Sequence, residues 1–326
     1  MLAERVDLYK QLSEKFDSPV ICYVTGDRPG LETQVSPDAV DVFLHHLDII
    51  GVVKKLTLVL YTNGGDTMAA WSLINLLRIF SDELHVIIPR KAYSAGTLIS
   101  LGADKITMTK QAVLGPIDPS INTPLNPEIA GNPNARMPVS VEALNGYLEF
   151  ARNTMGEGAD LTSIFLQLSN QIHPLVLGGA YRSRSQIRML ATSLLEGKHD
   201  EQSLETLLSF LCSDSGSHDY SINRREAKKL ALPVEKPSSE EYDVIKAVYD
   251  DFANELEFSN RYDPMKYMAG APTKGYSFCR SLVESSTGEG HGFWSEGTLT
   301  ANQVTTPHGV QNAINDQRHF EGWRKV

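Results

Sequence analysis

Residues 56–66 read Leu-Thr-Leu-Val-Leu-Tyr-Thr-Asn-Gly-Gly-Asp. Leu56–Tyr61 is an apolar run, which predicts a strand buried on both faces, as in a parallel sheet. It stops abruptly at Thr62-Asn63-Gly64-Gly65-Asp66, and a helical pattern over 67–80 follows. Paired glycines at the carboxyl end of a buried strand allow a sharp turn and close approach of the backbone to a ligand. They also leave N–H groups pointing into the crevice where open α/β sheets bind ligands. Two such donors serve an oxyanion or a phosphate; a plain strand-to-helix turn is the competing reading.

The pattern repeats on either side. Upstream lie an amphipathic helix over 3–16, a strand at Val20–Thr25 and a loop at 26–30. Ser36-Pro37-Asp38 then opens a helix to Gly51, with Ser36 as cap and Pro37 in the first helical position. Downstream, His85–Pro89 and Lys105–Thr109 read as strands around a helix of small residues, Ser94–Ala103. Strands alternating with helices at this spacing predict βαβ units and a mainly parallel sheet. Beyond Asp118 the texture changes. Pro119–Pro138 holds five prolines and reads as a loop, and 139–212 reads as helical. Asn223 with Glu226 fits a capping box, and 240–256 is a further helix. From Tyr262 periodicity fades, although Phe278, Phe293, Trp294, Phe320 and Trp323 need burial. The expected organisation is one α/β domain over 1–260, then an extension over 261–326 that packs on the core or on a neighbouring subunit.

Composition narrows the class. Of 326 residues 41% are apolar and 21% charged, a globular balance that excludes global disorder. Forty acidic against 30 basic residues, a net charge of −10, argue against a nucleic-acid partner. No apolar run approaches the ~18 residues of a membrane span, and the charged amino terminus has no signal-peptide character. Cys22, Cys212 and Cys279 form neither a disulfide framework nor a zinc site, and no His/Asp/Glu group has metal-binding spacing. The expectation is a soluble, intracellular protein with no metal site.

Three places carry candidate chemistry. Besides the Gly64-Gly65 turn, Ser94 in Ala92-Tyr93-Ser94-Ala95-Gly96-Thr97 follows a strand and opens a helix. That is the logic of a nucleophile elbow, although Ala92 stands where G-x-S-x-G has its first glycine; a simple N-cap is the alternative. Asp118, between Pro116 and Pro119, is a rigidly placed carboxylate, and His218 lies in a loop before the helix at 223. A turn aspartate and a solvated histidine compete with those roles. His173 reads as packing or surface, and His45-His46 lie in a helix with no evident partner.

Together, Y-T-N-G-G-D at 61–66, A-Y-S-A-G-T at 92–97, A-V-L-G-P-I-D-P at 112–119 and S-H-D-Y-S-I-N-R-R-E-A-K-K-L at 217–230 resemble the serine dehydrogenase proteinase family. That family is related to ClpP and signal peptide peptidase A in the ClpP/crotonase superfamily. The resemblance covers about residues 18–235. It departs at Asn63, where the family has proline before the glycines, at Ser120, where it often has glutamine, and at Ser221, where proline is usual.

The resemblance implies a ClpP/crotonase-like α/β fold and a homo-oligomeric serine protease. The implied triad is Ser94, Asp118 and His218, with oxyanion donors from Gly64 or Gly65 and from Ala95. Triads are defined by geometry and not by chain order, so the order Ser–Asp–His is chemically sound. A Ser–Lys dyad is disfavoured, because no lysine lies between Gln111 and Gly197. The implied partners are a peptide or protein substrate and further copies of the chain, with no membrane and no nucleic acid. A crotonase-type acyl-CoA enzyme and a non-catalytic scaffold of the same fold are the alternatives.

Overall fold

The computed structural model describes residues 2–117, 120–129, 131–156, 160–214, 220–306 and 309–326. It forms two compact units, residues 1–114 with 223–326, and residues 115–222.

The first unit is built on an eight-stranded sheet: β1 (Val20–Thr25), β2 (Val53–Tyr61), β3 (Ser81–Ile88), β4 (Lys105–Met108), β5 (Val234–Glu235), β6 (Thr273–Ser285), β7 (Gly290–Thr306) and β8 (Gly309–Lys325). Their spatial order is β5-β4-β3-β2-β1-β6-β7-β8. The pairings from β5 to β1 are parallel and those from β1 to β8 antiparallel. Four helices, α1 (Leu2–Phe16), α2 (Ala39–Ile50), α3 (Thr67–Phe80) and α4 (Ala95–Leu101), are interleaved with these strands. The result is the mixed α/β fold with a mainly parallel core that the alternation predicted.

Every residue of β1 and the last six of β2 are buried. Successive side chains of a strand point to opposite faces. Val20, Cys22 and Val24 accordingly join Tyr9 and Leu12 of α1 and Val248 and Phe252 of the helix Ser239–Glu255 in one core cluster. Tyr23, one residue out of phase, meets Phe43 of α2 edge-on at 5.3 Å. A fully buried Arg5 ties three elements together. It makes a two-pronged contact with Glu284 of β6, at 2.7 and 2.5 Å, and bonds Glu255 at 2.6 Å and Asp251 on the helix 239–255. The Tyr9 hydroxyl donates to the same Glu284 at 2.6 Å. Burial alone disfavours the guanidinium charge, and the surrounding carboxylates more than reverse this.

Several expectations change. Helix α2 begins at Ala39, because Ser36-Pro37-Asp38 closes a turn in which the Ala39 and Val40 N–H groups donate to the Ser36 and Pro37 carbonyls. Residues 261–326 form more regular structure than their composition suggested. β6 pairs directly with β1, and β7 and β8 extend the sheet. His46 is not partnerless: its ring bonds Ser285 Oγ at 3.0 Å and His291 Nδ1 at 3.1 Å.

In the second unit, the segment read as a loop contains short paired strands. Ser120–Ile121 pairs with Val139–Ser140, and Glu128–Ile129 with Asn132–Arg136. Helices Val141–Met155, Thr162–Gln171, Pro174–Leu195 and Glu201–Ser209 follow. His173 is exposed and caps the third of them, accepting from the Leu175 N–H at 3.2 Å. No described helix is long and apolar enough to cross a membrane.

Candidate active site

The Gly-Gly turn and Ser94 are brought together at the carboxyl end of β2. Thr62 forms a parallel bridge with Ala92, in which the Thr62 N–H donates to the Lys91 carbonyl at 3.2 Å and the Tyr93 N–H to the Thr62 carbonyl at 3.0 Å. The turn therefore runs beside the segment that delivers the serine. On its other side Val35 bridges Gly65, with the Val35 N–H donating to the Gly64 carbonyl and the Asp66 N–H to the Val35 carbonyl, both at 2.8 Å.

These contacts explain the glycines. Gly64 has φ +105° and Gly65 φ +145°, conformations that side chains rarely adopt. A Cβ on Gly64 would lie 2.9 Å from Ser94 Cβ and from the Tyr93 carbonyl oxygen, and one on Gly65 would lie 2.3 Å from the Val35 oxygen. Gly96 is required by close approach, since a Cβ there would sit 2.4 Å from Thr62 Cγ2. Asp66 closes the turn by capping α3, accepting from the Ala69 N–H at 2.6 Å.

Ser94 stands at the N-cap position of α4, yet its side chain makes no capping bond. Its φ of 49° and ψ of −109° lie outside the ordinary regions for a residue with a side chain. Such strain costs on the order of 1–3 kcal/mol and persists where the surroundings over-determine it. The hydroxyl is partly exposed and has no hydrogen-bond partner among the described residues. A capping serine would have ordinary extended geometry and a bonded hydroxyl; Ser94 has neither.

The backbone N–H groups beside this corner differ in what they bond. The Gly64 N–H is committed, donating to Thr62 Oγ1 at 3.0 Å, and that oxygen also accepts from the Thr25 hydroxyl at 2.8 Å. The Gly65 N–H is different. A trans peptide sets its C=O and N–H on opposite sides. Because the Gly64 carbonyl is held by Val35, the Gly65 N–H is turned away from Val35. The Ala95 N–H opens α4 directly behind the serine, and the Ala95 nitrogen lies 3.4 Å from the point a Gly64 Cβ would occupy. Of the expected donors, the Gly64 N–H is thus already bonded within the turn. Asp118 and His218 lie outside the described residues.

A neighbouring cluster escaped the sequence reading. Asp27, just past β1, accepts from the Tyr61 hydroxyl at 2.6 Å and from Asn63 Nδ2 at 2.5 Å, and pairs with Lys91 Nζ at 2.7 Å. Burial pushes the Asp27 carboxyl up, but the donors Lys91, Tyr61 and Asn63 outweigh it and hold the group below its ordinary range. The sequence signal was Asn63, a polar side chain at the mouth of the turn. Among the described residues no group of His, Cys, Asp and Glu is arranged to hold a metal ion.

Two uncharacterized proteins of Methanocaldococcus jannaschii are similar to the chain. One is 30% identical over 196 residues, 60% of this chain and 59% of that protein. The other is 27% identical over 179 residues, 55% of this chain and 51% of that protein. The match thus spans little more than half the length of either relative. Among solved structures, a ClpP1 mutant from Listeria monocytogenes aligns with 71% of this chain and 99% of its own, at 11% identity and a TM-score of 0.38. A family model described as ClpP-like SDH-type serine proteinase matches residues 42–136. Three of the four segments quoted above fall within that stretch.

Proposed function

We propose that the protein is a serine peptidase with Ser94 as its nucleophile. The observation that carries the reading is the strained, uncapped Ser94 held against a Gly-Gly turn, with the Ala95 N–H directly behind it. Ser94 Oγ attacks a peptide carbonyl carbon. The carbonyl oxygen becomes an oxyanion and accepts from the Gly65 and Ala95 N–H groups, donors of a kind that contribute roughly 3–4 kcal/mol each to the transition state. His218 takes the serine proton and returns it to the leaving amine, while Asp118 orients the imidazole and stabilises its cation. Water then hydrolyses the acyl-enzyme by the same steps in reverse. The chemistry needs no metal or organic cofactor.

The same reading places the protein in the cytoplasm as a homo-oligomer. In the unit of residues 115–222, Tyr147, Phe150, Phe165, Leu166, Leu175 and Tyr181 are exposed on its helices, and apolar surface of this extent supports assembly. The test is peptide hydrolysis by wild type, Ser94→Ala, His218→Ala and Asp118→Asn. The first two substitutions abolish turnover and the third impairs it, with the fold intact by circular dichroism. Full turnover in Ser94→Ala, as an acyl-CoA enzyme of this fold would show on its own substrate, contradicts the proposal.

A further inference from the structure

We infer that Asp27 is a positioning residue for this site, clamping the Gly64-Gly65 turn to the segment that carries Ser94. The inference rests on the serine peptidase reading and deepens it.

Three attachments converge on one carboxylate. Tyr61 ends β2, Asn63 precedes Gly64, and Lys91 lies three residues before Ser94. Both Asp27 oxygens are used: Oδ1 accepts from Asn63, and Oδ2 accepts from Tyr61 and Lys91. The clamp is anchored in the core, because the Tyr61 ring stacks on Phe258 at 5.1 Å and packs against Phe252 at 5.6 Å. On its other side Lys91 Nζ lies over the Tyr61 ring at 5.5 Å and the Tyr93 ring at 5.8 Å. Asp27 thus fixes the mouth of the turn relative to both β2 and the serine segment.

Such a clamp has a physical purpose here. Two successive glycines have the greatest backbone freedom of any pair, so the turn does not hold its own geometry. A proline before them would stiffen it through a fixed φ, and this chain has Asn63 there instead. The Val35 bridge holds Gly64 and Asp66, and Thr62 holds the Gly64 N–H. Asn63 is held through its side chain by Asp27. An oxyanion donor works only when placed within about 0.5 Å of its productive position. Loosening Asn63 displaces the Gly65 N–H, a donor used in the transition state more than in substrate binding.

The experiment measures covalent labelling by a fluorophosphonate probe, whose phosphoryl oxygen takes the oxyanion's place. Saturation kinetics separate the maximal labelling rate from the half-saturating probe concentration for wild type, Ser94→Ala, Asp27→Ala, Asp27→Asn and the exchanged pair Asp27→Asn/Asn63→Asp. The expected result is a fall of about tenfold or more in maximal rate for both single Asp27 variants, with half-saturation changed less than about twofold. Ser94 is still labelled to completion. The exchanged pair, which restores an amide–carboxylate bond between positions 27 and 63, recovers most of the rate. Asp27→Asn preserves the side-chain shape, so it reports even where Asp27→Ala does not fold. A wild-type maximal rate in Asp27→Asn, or a loss with no recovery in the exchanged pair, overturns the clamp while leaving Ser94 as nucleophile. Undiminished labelling of Ser94→Ala overturns the peptidase reading and the clamp with it.

Discussion

Acidification destabilises this fold through His46, and the size of the effect follows from its surroundings. The side chain is fully buried. Its Nδ1 bonds Ser285 Oγ and its Nε2 bonds His291 Nδ1; the His45 ring lies 6.0 Å away, and Glu289 and Lys325 are the nearby charges. Burial first, then the neighbouring His291 and His45, push its pKa down from 6.5 to about 4. The folded value is below the unfolded one, so the unfolded chain binds the proton more readily. The stability His46 contributes is therefore complete above pH 6.5 and is lost as pH falls toward about 4. At about 1.4 kcal/mol per pH unit, the full window costs about 3 kcal/mol, and the step from pH 6.5 to 5 costs about 2 kcal/mol. Urea unfolding followed by tryptophan fluorescence measures it. The gap in stability between wild type and His46→Asn narrows by about 2 kcal/mol between pH 7 and pH 5. Stability curves that stay parallel over that interval refute the reasoning.

Three further outcomes follow from the packing. Gly64→Ala places a methyl 2.9 Å from Ser94 Cβ at φ +105°; beyond a backbone strain of about 1–2 kcal/mol, it abolishes phosphonate labelling while the circular dichroism spectrum is retained. Arg5→Ala leaves Glu284 buried without its cation and lowers unfolding stability by about 3–5 kcal/mol in denaturant titration, far more than removal of an exposed ion pair such as Lys10–Asp7. Deleting residues 290–326 strips β7 and β8 and leaves β6 as an unpaired edge, so the truncated chain aggregates in light scattering.

The parallel half of the sheet was legible because its strands are buried on both faces: Val20–Thr25 and Leu56–Tyr61 read as apolar runs, and each is followed by a helical pattern. The antiparallel half was not. β7 and β8 draw on Gly, Ser, Thr and charged residues, and their order comes from long cross-strand ladders that leave no local period. The Ser36-Pro37-Asp38 start was misplaced by two residues because the same residue types serve turns and caps equally well. At the candidate site, sequence singled out Ser94 and the glycines, but not which N–H of the turn is already bonded. That depends on Thr62 Oγ1 engaging Gly64, a choice among local bonds, and on Val35 turning the Gly65 N–H, a tertiary contact. Asp27 was invisible for the same reason, since its partners are 34, 36 and 64 positions away.

The central claim is that Ser94 is a nucleophile, and mass spectrometry of phosphonate-treated protein tests it most directly. Trypsin releases residues 92–105 as one peptide, bounded by Lys91 and Lys105 and containing Ser94 and Ser100. Ser100 is fully buried and its hydroxyl donates to the Gly96 carbonyl at 2.8 Å, so fragmentation distinguishes the two. The account predicts one adduct per chain, on Ser94, and none in Ser94→Ala. An adduct on any other residue of the wild type, or a wild-type chain that takes up no probe while folded, contradicts it.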